Sequence, residues 1–337
     1  MTQMNAVRFH RTGGPEVLSL DRVDKPVPGP REALLRIEAT GMNFADVVRR
    51  NGDPYPMPSP LPYTLGGECV GVVQALGPGG DAELLGQRVF GFPGSGCYAE
   101  FVCAPLDRLF PVPEHMASPQ AVSLFVQGLS ASLILKDAAR LQPGETVFVQ
   151  GAAGGVGLLA VQLAKAYAAG MVIGAASTAG KRQLVLDHGA DLAVDYTRAG
   201  WTDEVMQATG GRGVDVVLEM TGGQIARDCL NILAPFSRTV VYGVASRERL
   251  MVDTETLPPG NRSFRGFFLR PYLARRDMIL ATLDEFARLV ASGRLRPHVG
   301  GTFPLSQAAQ AHALLEGRQT TGKLVLVPDA VIHESAA

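Results

Sequence analysis

Glu145-Thr146-Val147-Phe148-Val149-Gln150-Gly151-Ala152-Ala153-Gly154-Gly155-Val156-Gly157 decides how this chain is read. Residues 145–150 alternate β-branched and aromatic with polar side chains behind a Pro143-Gly144 turn, which predicts a strand. Leu158, Leu159, Val161, Leu163 and Ala164 then follow at helical spacing. A strand, a turn of small residues and a helix make a phosphate cradle. The small residues let the backbone approach a pyrophosphate, and the helix aims its unpaired N–H groups and positive dipole end at the anion. Against the G-x-G-x-x-G fingerprint of dinucleotide sites, Ala152 stands where the first glycine would be.

The bulk properties set the frame around this cradle. A length of 337 residues gives room for two domains, and 46% apolar with 19% charged residues describes a globular chain with a sizeable core. The net charge of −1 supplies no basic field for nucleic acid or for an anionic membrane surface. Neither the first twenty residues nor any other stretch reads as a leader or a bilayer span, so a cytoplasmic protein is expected. Cys69, Cys97, Cys103 and Cys229 form no C-x-x-C pair, which fits reduced thiols better than a disulfide framework or a zinc knot.

Upstream of the cradle the pattern is short strands broken by Gly and Pro, among them 6–9, 17–20, 33–39, 69–75 and 87–91, with one helix over about 43–50 capped by Asn43. This spacing predicts a compact β-barrel. From Leu124 onward strands alternate with helices, the strands being 145–150, 171–176, 193–196, 214–218, 239–243 and 265–269. Such alternation predicts a doubly wound parallel sheet whose ligand lies beyond the carboxyl ends of its strands. The tail breaks the alternation, with a helix over 277–291, strands over 299–303 and 323–327 and a helix over 306–315. The tail is therefore read as returning to the first domain, with frayed last residues. The expected organisation is 1–125 for the first segment, 126–270 for the dinucleotide domain and 271–337 for the return.

NAD sites usually place Asp or Glu at the end of the second strand, where it binds the ribose 2′-hydroxyl. Ala175 and Ala176 stand there, followed by Ser177-Thr178-Ala179-Gly180-Lys181-Arg182. A hydroxyl with Lys181 or Arg182 suits a 2′-phosphate by charge-assisted hydrogen bonding, so NADPH is the expected dinucleotide.

With these residues in view, the chain resembles the zinc-independent NADPH:quinone oxidoreductases of the medium-chain dehydrogenase/reductase superfamily, the ζ-crystallin-like group. The resemblance rests on Gly41-Met42-Asn43-Phe44-Ala45-Asp46, Leu65-Gly66-Gly67-Glu68-Cys69-Val70-Gly71, the cradle, Gly189-Ala190-Asp191 with Asp195-Tyr196, and Thr320-Thr321-Gly322-Lys323-Leu324-Val325-Leu326. It implies an α/β protein with a GroES-like β-barrel domain and a Rossmann doubly wound parallel sheet domain, assembled as a homodimer. It also implies residue roles. Asn43 approaches the nicotinamide ribose and substrate, and Ser130 contacts the cofactor near the nicotinamide. Gly154, Gly155 and Val156 hold the pyrophosphate, while Ser177, Lys181 and Tyr196 surround the 2′-phosphate. Gly243, Phe268 and Arg318 complete the cofactor site. The tyrosine of the first-domain helix comes later here than in the relatives, at Tyr55, and the loop 92–97 reshapes the substrate mouth.

Zinc alcohol dehydrogenases of the superfamily carry Cys at or beside Asn43 and His at Gly67, and this chain has neither. His10, His115, His188, His298, His312 and His333 are scattered and read as surface or capping residues. Reduction of a quinone or an activated C=C bond needs no Lewis acid, because the substrate carbonyl accepts the charge as hydride leaves nicotinamide C4. Tyr55 is the candidate proton donor and Asn43 the candidate partner of the substrate oxygen. Asp46 and Arg50, at i and i+4, read as a structural ion pair, and Glu68 as structural. Two other functions compete. One is an enone or enoyl reductase acting on an α,β-unsaturated carbonyl, for which Arg262, Arg265, Arg270, Arg275 and Arg276 could form a basic entrance. The other is an NADPH-binding structural or RNA-binding protein, which the near-neutral charge disfavours. Residues 238–242 with 250–252 are the expected sheet edge for dimer pairing.

Overall fold

The computed structural model describes residues 2–113 and 115–329; His333 and the predicted frayed end lie outside the described residues. The chain divides into two compact units, Met1–Val126 with His298–Ala337, and Gln127–Pro297. In chain order the first segment holds β1 (Gln3–Phe9), β2 (Leu18–Asp24), β3 (Glu32–Gly41), α1 (Phe44–Asn51), β4 (Tyr63–Thr64), β5 (Cys69–Leu76), β6 (Arg88–Gly91), β7 (Phe101–Pro105) and β8 (Leu109–Pro111). A helical run, α2 (Ser118–Ala138), follows, with π-helical turns at Leu124–Gly128 and Ile134–Ala138. The middle segment holds β9 (Thr146–Val149), α3 (Gly155–Ala166), β10 (Met171–Ala175), α4 (Ala179–Asp187), β11 (Leu192–Val194), β12 (Val214–Glu219), β13 (Leu233–Val241), β14 (Ser263–Gly266) and α5 (Arg276–Ala291). The return holds β15 (Val299–Pro304), α6 (Ala308–Glu316) and β16 (Lys323–Val327).

The first unit is built from two sheets, β2-β1-β4 and β15-β16-β3-β5-β6-β8 with β7 added on β3. Phe9, Met42, Leu65, Tyr98, Leu305, Leu324 and Leu326 bury together, so residues from both ends of the chain share one core. That shared core is why the return strands are part of this unit: β16 pairs with β3 at Val325–Gly41 and Leu326–Thr40.

In the second unit a parallel six-stranded sheet has the order β11-β10-β9-β12-β13-β14. Counted from β9 this is 3-2-1-4-5-6, the doubly wound order whose switch point lies between β9 and β12. β12 is buried at all six positions, as a strand covered on both faces must be. Phe148, Ile173, Val194, Trp201, Val217 and Ile232 form its core.

Four sequence expectations need correction. The return begins at His298 rather than 271, because α5 belongs to the second unit. Its Ile279, Leu283, Phe286 and Leu289 are buried, each worth roughly 1.5–3 kcal/mol, and its Glu285 bonds Lys136 and Tyr167 at 2.5 and 3.2 Å. The predicted strand 265–269 lies earlier, at β14, which leaves Phe268 just beyond the strand as the cap of the short helix Leu269–Tyr272. Residues 238–241 are not a sheet edge: β13 lies between β12 and β14, and β14 is the edge. Finally, α2 has the length and mean hydropathy (1.3) to cross a bilayer, contrary to the reading that no stretch does. Some 83% of its most apolar 18-residue window is buried inside the protein, the environment of a core helix.

Candidate functional site

The cradle is built from the end of β9 outward. Gly151 turns the chain with φ +56°, Ala152 N–H bonds the Ala175 carbonyl of β10 at 3.1 Å, and Gly154 caps α3. A Cβ on Gly157 would stand 2.4 Å from the Gly151 carbonyl oxygen and 2.7 Å from Ala152 Cα, so the turn packs directly on the helix start. A Cβ on Gly155 would stand 1.8 Å from Gln127 Oε1, itself a buried acceptor without a partner. The first-turn N–H groups of α3 have no intrahelical acceptors, and the half-exposed Gly155 and Val156 present theirs, while the Gly154 N–H is donated to the Gly151 carbonyl at 2.9 Å. A helix start with unpaired N–H groups fits the pyrophosphate end of a dinucleotide.

Around it, the carboxyl ends of neighbouring strands bring the other expected residues of this unit together. Gln150 accepts N–H bonds from Met220 and Thr221 at 3.3 and 3.2 Å, holding the loop after β12. Gly243, just past β13, packs where a Cβ would come within 2.9 Å of the Met220 carbonyl. Past β10, half-buried Ser177 precedes Thr178, whose Oγ1 accepts the Lys181 N–H at 3.3 Å and caps α4. Burial holds the Lys181 ammonium below its ordinary pKa, an environment that a bound anion would relieve. Arg182 pairs with Asp195 at 2.8 Å and bonds the Ala176 carbonyl at 3.3 Å. Tyr196 packs half-buried against the sheet core. Ser130 is buried on α2, and Phe268 is 41% exposed. The basic run is partly spent: Arg265 and Arg275 face Asp137, and Arg262 bonds the Leu233 carbonyl.

Asn43, Tyr55 and Arg318 belong to the first unit. Asn43 sits at the head of α1, where Asp46 Oδ2 accepts its N–H at 2.9 Å. Its side-chain amide is turned into a buried cluster: Nδ2 donates to Glu68 Oε1 at 2.8 Å and the Gly41 carbonyl at 3.3 Å, and Oδ1 accepts from Lys323 Nζ at 2.9 Å. Lys323 and Glu68, 2.6 Å apart, are both 0% exposed. Glu68 Oε2 also accepts the Val126 N–H, at 2.8 Å, in the first π turn of α2. The Tyr55 ring lies 5.0 Å from the Arg49 guanidinium carbon. Arg318 is exposed in the turn after α6 with φ +55°.

The expected Asp46–Arg50 ion pair is not formed. Arg50, wholly buried, donates to His312 Nδ1 (3.1 Å), the Gly13 carbonyl (3.0 Å), Asn51 (2.6 Å) and Glu316 (2.6 Å). His312 is therefore a core residue, not the surface residue expected. Arg only donates, so Nδ1 accepts and Nε2–H points to Tyr98 Oη at 3.1 Å; Tyr98 O–H in turn donates to Asp46 Oδ2 at 3.4 Å. Burial, with Arg50 beside it, lowers the His312 pKa to about 3, while burial raises that of Asp46 to about 6. The two act in opposite directions. The unfolded chain takes up the His312 proton near pH 6.5 and the fold does not, so stability falls with acid; the folded Asp46 takes a proton that the unfolded chain refuses until about pH 4, so stability rises. Between pH 6 and 4 the slopes nearly cancel. In His312→Gln, which keeps both hydrogen bonds without titrating, stability is expected to rise by about 1.4 kcal/mol per pH unit on acidification through that window. Urea unfolding at several pH values checks this, and parallel profiles for variant and wild type would contradict it.

Comparison with known proteins bears on the whole chain. Residues 29–114 match the alcohol dehydrogenase GroES-like domain and residues 188–326 the zinc-binding dehydrogenase domain. A quinone oxidoreductase of Sus scrofa is 32% identical over 334 residues, covering 96% of this chain and 98% of the relative. One of Pseudomonas aeruginosa is 34% identical over 324 residues, covering 96% and 99%. The chain belongs to the quinone oxidoreductase family of the medium-chain dehydrogenases/reductases. The solved structure of Escherichia coli quinone oxidoreductase complexed with NADPH superposes with a TM-score of 0.91 at 32% identity, covering 96% of this chain and 100% of that one. The GroES-like and Rossmann architecture expected from the sequence is thus the architecture of this family.

Within the family framework, the residue that sequence reading missed is Lys323. The available signal was a lysine opening the apolar run Leu324-Val325-Leu326-Val327, a position buried along its whole length in β16. Among the described residues no group of three His, Cys, Asp or Glu is placed to hold a metal ion.

Proposed function

We propose that the protein is an NADPH-dependent reductase of quinones that works without a metal, as a cytoplasmic homodimer. The observation carrying this reading is the cradle at the switch point of the sheet, with a basic, carboxylate-free turn after the second strand. Bound NADPH supplies hydride from nicotinamide C4. In this reading Gly154, Gly155 and Val156 hold the pyrophosphate, Gly155 and Val156 by their backbone N–H groups, and Ser177, Lys181 and Tyr196 bind the 2′-phosphate. Ser130, Gly243, Phe268 and Arg318 line the remaining cofactor contacts, Asn43 meets the nicotinamide ribose, and Tyr55 donates the proton that accompanies hydride. Zinc-independence is supported by Gly67, which has no side chain to ligate, and by the commitment of the Asn43 amide to Lys323 and Glu68. The free cysteines fit a reducing compartment. The exposed edge strand β14, with Met251 83% exposed, supports pairing across a two-fold axis.

Lys181→Ala is expected to raise the Kd for NADPH about 10–100-fold, the worth of one hydrogen bond to a charged group, and to leave the Kd for NADH unchanged. Fluorescence titration of both nucleotides tests it. Equal loss for both, or no loss for NADPH, would remove Lys181 from the 2′-phosphate site.

A further inference from the structure

We propose that Arg49 is a positioning residue: from the last turn of α1 it holds the proline-alternating loop that carries Tyr55, and so fixes the aim of the proton donor. That loop reads Pro54-Tyr55-Pro56-Met57-Pro58-Ser59-Pro60-Leu61-Pro62. Five of its nine residues have no backbone N–H, so the ladders that secure strands and helices are closed to it, and residues 53–62 lie in neither. The fixed φ of each proline stiffens the chain. A stiff segment with few donors of its own needs a side chain to set where it points.

Arg49 supplies that side chain. Its Nε donates to Ser59 Oγ at 2.8 Å and its Nη2 to the Pro58 carbonyl at 2.9 Å. Nη1 donates to the Gly94 carbonyl at 3.3 Å, in the loop 92–97 expected to shape the substrate mouth. The guanidinium carbon also lies 5.0 Å from the centre of the Tyr55 ring and 4.5 Å from that of Tyr63, within cation–π range of both. One planar fork thus joins two loops and faces two rings, which the point charge of a lysine could not reproduce.

Arg49 is only 8% exposed, and its hydrogen bonds among the described residues all go to neutral oxygens. A cation buried against neutral partners is a weak source of stability, because desolvation offsets the attraction; its use here is orientation. α1 carries Asn43 at its head and Arg49 in its last turn, so one rigid element sets both. Half-buried Tyr55 is restrained twice, along the chain through Pro58 and Ser59 and through its ring. Arg49 therefore acts on the reaction through Tyr55. This rests on the reading of Tyr55 as the proton donor.

The test is a double-mutant cycle in the full-length protein: wild type, Arg49→Met, Tyr55→Phe and the two together. Each is assayed for kcat and KM with a para-quinone at saturating NADPH, and for NADPH Kd by fluorescence. Arg49→Met is expected to lower kcat about tenfold when Tyr55 is present and less than about twofold in the Tyr55→Phe background, with NADPH Kd unchanged throughout. The same loss in both backgrounds would overturn the inference, because Arg49 would then act on something other than Tyr55. Full kcat in Arg49→Met, or an NADPH Kd raised as much as kcat falls, would overturn it too. Should Arg49→Met not fold, Ser59→Ala, which removes one acceptor and leaves the guanidinium in place, runs the same cycle. About threefold loss of kcat is expected with Tyr55 present and none in the Tyr55→Phe background; equal loss in both, or no loss in either, would overturn the inference. Tyr55→Phe with unchanged turnover would remove the donor reading, and wild type without quinone turnover the proposed function itself, each taking the inference with it.

Discussion

Lys323→Met alone is expected to lower the unfolding free energy by about 3–5 kcal/mol, the usual cost of stranding one charge of a buried pair. Glu68, 0% exposed, would keep its Val126 and Asn43 donors but lose its Lys323 partner. Adding Glu68→Gln removes the stranded charge and is expected to return most of that loss, since neutral replacement of a whole buried pair is often tolerated. Urea unfolding of the two variants decides it. A single variant that loses less than about 1 kcal/mol, or a double variant as unstable as the single, would show that this pair is not an uncompensated-charge problem.

Gly157→Ala is expected to cost about 1–3 kcal/mol of stability, as overpacking does, and at least tenfold in NADPH affinity. The added methyl meets the Gly151 carbonyl oxygen at 2.4 Å and the Ala152 backbone at 2.7–2.8 Å, and backbone cannot rotate aside as a side chain can. Relief must come from shifting the turn, which displaces the N–H groups that face the pyrophosphate. Gly180→Ala is the control: nothing lies within 4 Å of its Cβ, and in helix α4 the change is expected to stabilise by about 0.5–1 kcal/mol. Calorimetry with nucleotide titration separates the two. Normal NADPH binding by Gly157→Ala would mean that the cradle tolerates movement and is not the anion site.

What could be read without coordinates followed distance along the chain. The strand from 146, its glycine turn and α3 are local, and periodicity with turn chemistry exposes them directly. The alternation after Leu124 is local too, and it led to the doubly wound parallel sheet, though not to its strand order. The return of the tail was legible as a break in that alternation, but its starting point was not: the apolar stripe of α5 says that the helix is covered, not by which unit. The Lys323–Asn43 contact spans 280 residues, and no local pattern reports it. His312 misled for a related reason. Its partners Arg50 and Tyr98 lie 262 and 214 residues away, so a scattered histidine looked like a surface one. The Asp46–Arg50 spacing was a sound helical rule overridden by stronger partners, backbone N–H groups for the acid and Glu316 for the base.

The most direct measurement is the initial rate of NADPH and NADH oxidation, with a chelator present, against an ortho-quinone, a para-quinone, an enal and an enoyl thioester. The account predicts turnover of quinones, selective for NADPH and unaffected by chelation. Turnover confined to the enal or thioester, a preference for NADH, or silence on all four despite tight NADPH binding would contradict it.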